Sequence, residues 1–91
     1  MSIKEVIDRI DKIDNDTIQR ILDKFPYDEQ LIILRERCKV GDKAACKVYD
    51  ITVNGNKDAP AGTPEWLGLK GRWLEKKDAR ARQILEKIGE L

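Results

Sequence analysis

The sequence predicts an all-α domain of four to five helices, made of short helical hairpins and a long C-terminal helix. Three observations carry this. Apolar residues recur three and four positions apart along most of the chain. Side chains that cap helices stand ahead of most of these recurrences. No two alternating apolar runs flank a tight hairpin turn. With 91 residues the chain has the length of one small domain, read here as 1–91.

Ser2 followed by Glu5 forms a capping box, and Ile3, Val6, Ile7, Ile10 and Ile13 keep helical spacing, which predicts a first helix over roughly 3–13. Asp14-Asn15-Asp16 interrupts the pattern and caps a short second helix of Ile18, Ile21, Leu22 and Phe25, stopped by Pro26. Asp28 is expected to open a third helix. Its Leu31-Ile32-Ile33-Leu34 run is apolar on every side and so belongs at the centre of the core. Gly41 suits the left-handed residue that ends a helix, and Asp42 caps the next.

Ala44, Ala45, Val48, Tyr49 and Thr52 share one helical face, although Val48 to Val53 is also rich in strand formers and runs into Asn54-Gly55. No return strand follows, so helix is the better reading. Residues 54–64 form the one long loop. Thr63 then caps, with Pro64 at the first position, a helix expected to reach about Gly89.

Several function classes are set aside by residue chemistry. The longest purely apolar run is Leu31 to Leu34, far short of a membrane span. The first residues lack the apolar stretch of a signal peptide, so a cytoplasmic address is expected. No metal site is expected: there is no histidine, only two cysteines, and no calcium-loop spacing around Asp11, Asp14 and Asp16. A Cys–His nucleophile is excluded on the same ground. No phosphate-cradling glycine loop occurs, so the expectation is a protein that is not an enzyme and carries no cofactor. A helix-turn-helix over 25–53 fails because Asn54 to Pro60 stands where the recognition helix should follow.

Charge is unevenly spread. Residues 1–30 hold five Lys/Arg against eight Asp/Glu, and residues 70–82 hold six against two. On a wheel of the expected C-terminal helix, Trp66, Leu67, Trp73, Leu74, Ala81, Ile84, Leu85 and Ile88 share a stripe, with Lys70 and Lys77 inside it. Arg72, Lys76, Arg80 and Lys87 line its flank beside Leu69.

A partner-binding surface of Trp66, Leu69, Lys70, Arg72, Trp73, Lys76 and Arg80 follows, joined by Lys57 and Asp58 of the loop. The competing reading buries the indoles and leaves the cations solvated, and Trp66 is then the indole better placed for exposure. Gly68 and Gly71 each weaken a helix by about 1 kcal/mol relative to Ala. Either another backbone passes close there or the first turns are irregular.

Cys38 and Cys46 flank the Gly41-Asp42 corner at similar distances, so folding back would bring them near enough for a disulfide. Two reduced, buried thiols are the default for the expected compartment.

The functional expectation is a protein-binding module, a small regulator or inhibitor of the phage- or plasmid-borne kind, meeting an acidic protein surface. The alternatives are a nucleic-acid binder that uses the same cations on phosphates, and a structural homo-oligomer or homodimer joining acidic and basic ends.

Overall fold

A computed structural model describes residues 2–91. The described residues contain six helices and no strand: α1 (Ile3–Asp8), α2 (Asn15–Leu22), α3 (Tyr27–Lys39), α4 (Lys43–Asn54), α5 (Pro64–Lys76) and α6 (Ala79–Lys87). The fold is all-α, with one helix more than the upper count expected. The chain gathers into two compact units, Met1–Cys46 and Lys47–Leu91.

In the first unit, Ser2 caps α1 through the Glu5 N–H at 3.3 Å, and Asp14 caps α2 through the Thr17 N–H at 2.7 Å. Its core gathers Val6, Ile10, Ile18, Ile21, Leu22 and Ile33, with Ile3, Ile13, Phe25 and Leu34 packed at its margin. Of the Leu31–Leu34 run, Leu31 and Ile33 are buried, whereas Ile32 and Leu34 keep partial exposure, so the run is not apolar-packed on every side. The third helix begins at Tyr27, one residue before the expected Asp28, with Pro26 at its N-cap.

The first helix ends sooner than its apolar spacing suggests, at Asp8 rather than near 13. Beyond it the backbone tightens, with the Ile10 N–H on the Ile7 carbonyl at 3.2 Å and the Lys12 N–H on that of Arg9 at 2.9 Å. A side chain from α3 binds two carbonyls just beyond this end. Arg37, only 8% exposed, donates through Nη1 to the carbonyls of Ile10 at 2.6 Å and Ile13 at 2.5 Å. Its Nη2 reaches Asn15 Oδ1 and its Nε reaches Asp42 Oδ2, each at 3.0 Å. A buried guanidinium is tolerable when its donors are met and a carboxylate neutralises it.

At the corner between α3 and α4, Gly41 takes φ +103°. The Gly41 N–H bonds the Cys38 carbonyl at 3.0 Å and the Asp42 N–H that of Arg37 at 3.2 Å, the pattern that closes a helix over a left-handed residue. Asp42 then caps α4 through the Ala45 N–H at 3.1 Å. Cys38 and Cys46 are joined as a disulfide across this corner, their Cα atoms 4.6 Å apart, in place of the default pair of thiols.

The helical reading of 43–54 holds through the strand-forming stretch. Thr52 Oγ1 donates to the Val48 carbonyl at 2.7 Å and Asn54 Nδ2 to Asp50 Oδ1 at 2.8 Å, both one helical turn back. Asn54-Gly55 ends a helix here instead of turning a hairpin.

The second unit packs Val53, Leu67, Leu69, Ala81, Ile84, Leu85 and Ile88 as its buried apolar residues. Thr63 caps α5 as expected, its Oγ1 accepting from the Trp66 N–H at 3.4 Å. The expected long helix to Gly89 is nevertheless divided twice. Gly68 (φ 68°, ψ −176°) kinks α5 after one turn. Lys77 then adopts the left-handed conformation (φ 53°, ψ 40°), and Asp78 starts α6 by accepting from the N–H groups of Arg80 and Ala81.

Candidate functional site

The kink brings two backbones into direct approach. A Cβ placed on Gly68 would collide with the backbone of Asn54 and Gly55, and one on Gly55 with the Trp66 and Leu67 backbone. Both sequence explanations for a glycine near the start of α5 therefore apply together at Gly68: another segment passes close, and the helix is irregular. Gly71 differs, because its neighbour is the Leu67 side chain of the preceding turn.

This contact stitches the loop onto α5. The Asn56 N–H donates to the Glu65 carbonyl at 2.8 Å, and Lys57 Nζ donates to the Trp66 carbonyl at 3.0 Å. The same ammonium lies 4.0 Å from the centre of the Trp66 ring, an exposed cation–π contact worth about 0.5–1 kcal/mol. Lys57 thus fastens Trp66 to the loop. Asp58 turns back on the loop instead, its N–H donating to Asn56 Oδ1 at 3.0 Å.

Trp73 also stands among cations. Arg82 lies 5.2 Å and Lys77 5.6 Å from its ring centre. Both indoles are half-buried, so neither is wholly core nor wholly free. Leu74, next along, is 65% exposed. The division at Lys77 and Asp78 explains that: once α5 stops, the wheel that placed Leu74 in the stripe of Ile84 and Leu85 no longer applies.

The sequence-selected residues consequently separate. Leu69 is 1% exposed and packs in the core of the second unit, so it presents no contact surface. Arg72 is held internally, donating to Asp78 Oδ2 through Nε at 3.0 Å and Nη2 at 2.7 Å. Those bonds, with the Ala81 N–H next in weight, keep the Asp78 carboxyl below its ordinary range. Lys70 reaches Glu90 Oε1 at 3.4 Å, while Glu90 Oε2 accepts from the Tyr49 hydroxyl at 2.5 Å. Lys76 and Arg80 remain exposed, with no ion pair among the described residues, but on two different helices. The single ridge of cations is broken into two short groups.

Sequence reasoning missed Arg82 over Trp73, the exposure of Leu74 and the capping role of Asp78. The last had a local signal. An aspartate three residues ahead of Ala81 repeats the spacing by which Asp42 caps toward Ala45.

In the first unit a polar cleft of about 470 Å³ opens beside Asp11, Asn15, Arg37, Asp42 and Lys43. Arg37 commits Nε, Nη1 and Nη2 to protein acceptors there, which makes it a structural clamp. No group of three or more Cys, Asp or Glu stands close enough to hold a metal ion among the described residues, and no helix there is long and apolar enough to cross a membrane. Comparison with known proteins finds no matching family model and no similar curated protein or solved structure.

Proposed function

We propose that this chain is a non-enzymatic protein-binding module, a small cytoplasmic regulator or inhibitor. In this reading its second unit grips an acidic, partly apolar surface of a partner protein. The observation that carries the reading is Leu74, 65% exposed beside half-buried Trp73 and followed by exposed Lys76 and Lys77. An exposed leucine extends the apolar area of an indole, the residue type that binding hot spots favour, and surrounding cations supply a polar rim. Trp66, Lys70 and Arg80 complete the surface. Arg72 supports it from beneath by holding Asp78 at the start of α6.

The nucleic-acid alternative rests on the same cations, but Arg72 is engaged with a carboxylate and the chain's net charge is only +1.

The test uses Leu74→Asp and the pair Lys76→Glu with Arg80→Glu in the 91-residue chain. Circular dichroism should show unchanged helix content, since all three positions are exposed. A protein retained from source-cell extract by the wild-type chain should be lost with Leu74→Asp and weakened by the charge reversals. Retention by every variant would overturn the assignment of the surface. A complex with a mixed-sequence duplex at low salt, abolished by the charge reversals and indifferent to Leu74→Asp, would replace this reading with the nucleic-acid one.

A further inference from the structure

We infer that the Cys38–Cys46 disulfide is a reversible thiol switch that clamps and releases the first turn of α4, a property independent of the binding surface proposed above. Cys38 lies in the last turn of α3 and Cys46 in the first turn of α4, so the bond ties one helix end directly to the next helix start. Cys46 is also the last residue of the first unit, and α4 continues from it into the second. The bond therefore adds a covalent tether to the lead-in turn of that helix.

Three features favour a switch over a permanent staple. The corner is closed without the sulfurs, by the Gly41 and Asp42 backbone bonds, by the Arg37–Asp42 ion pair at 3.0 Å and by the Asp42 cap on α4. Both cysteines are half-buried rather than sealed in a core, so an attacking thiolate can reach them. The reduced form also has a place for its new proton: Cys46 Sγ lies 3.6 Å from the Cys38 carbonyl oxygen, within range of an S–H···O contact.

The exchange balances with a thiol reductant of the glutathione or dithiol class. Its thiolate attacks Cys38 Sγ, the Sγ–Sγ bond breaks, and the bonding pair departs on Cys46 Sγ. That sulfur sits in the first turn of α4, where the positive end of the helix favours negative charge, before it takes up a proton. A second reductant thiolate then displaces Cys38 from the mixed disulfide, and Cys38 takes up a proton. Two electrons and two protons pass to the protein as two thiols become one disulfide of the reductant. Oxidation by glutathione disulfide runs the same steps backwards.

The test places the 91-residue chain in glutathione buffers from fully reduced to fully oxidised. Alkylation followed by mass measurement reads the thiol state, amide hydrogen exchange reads residues 38–50, and far-ultraviolet circular dichroism reads helix content. The expected result is a reversible two-electron transition with helix content kept. Exchange at the amides of the first turn of α4 should quicken at least about tenfold in the reduced form, as the loop constraint is lifted. The Cys38→Ser, Cys46→Ser double variant should show the fast pattern in every buffer. Unfolding of the first unit on reduction, or a double variant that does not fold, would show a structural staple and overturn the switch. Unchanged exchange, or a bond that glutathione neither breaks nor re-forms, would overturn it equally.

Discussion

Arg37 holds a positive charge at 8% exposure and meets four acceptors drawn from residues 10, 13, 15 and 42. Removing it leaves two carbonyls and a carboxylate without the group around which they are arranged. Such a loss costs more than the bonds are worth net, because the remaining polar atoms stay poorly solvated. Arg37→Met, which keeps the stem but loses the guanidinium, should lower stability by about 3 kcal/mol. A urea titration should show the midpoint falling with little change in slope. A loss under about 0.5 kcal/mol would mean that water replaces the guanidinium without penalty. The sequence does not disclose this residue. An arginine in the last turn of a helix reads as a solvated partner of the helix dipole, and its acceptors lie 24 and 27 residues away.

At the scale of elements, helix starts were legible and helix ends were less so, for a physical reason. A start is written locally, in a side chain three residues ahead of the N–H it accepts, and Ser2, Asp14, Asp42 and Thr63 all act so. The end of α1 at Asp8 falls inside an apolar repeat that runs on to Ile13, so no local pattern records it. The division between α5 and α6 needs a lysine in the left-handed region, an unfavourable state that Asp78 offsets by capping α6 and receiving Arg72. An apolar stripe with the correct period could not report that break. The expected surface changes accordingly: both indoles are half-buried, Leu69 is buried and Leu74 is exposed.

The glycines of the second unit separate two effects that sequence inspection merges. Gly62 has positive φ with open space around it, whereas Gly68 has positive φ and the backbone of Gly55 against it. Gly62→Ala should cost about 1 kcal/mol, the conformational penalty alone. Gly68→Ala adds a backbone collision and should cost about 3 kcal/mol or more. Thermal melts of the two variants compare them directly. Equal losses would mean that the approach of the two segments contributes nothing to stability.

For the whole molecule, the pH response built in by the helix caps lies on the acid side. No histidine is present, so no side chain has an ordinary titration point between about 5 and 8. Asp14, Asp42 and Asp78 are each held below the usual carboxylate range. Backbone N–H donors lead at Asp14 and Asp42, and Arg72 leads at Asp78. A lowered folded value means stability that is fully present above the unfolded value of about 3.9 and lost as pH falls through the folded one. Denaturation midpoints should stay level from about pH 8 to 5 and decline below about 4. Asp42→Asn should lower stability at pH 7 and flatten that decline. A decline already evident near pH 6 would require a titrating group outside these three.

Both tryptophans lie in the second unit, while the disulfide lies wholly in the first. The molecule therefore carries its own pair of optical channels: indole emission arises from two side chains within residues 47–91, and ellipticity from all six helices. A reductant acts chemically on one channel's territory and not on the other's. In a thermal scan with excess dithiothreitol, the ellipticity transition should move to lower temperature more than the emission transition does. Equal displacement of both would mean that the two halves melt as one cooperative body.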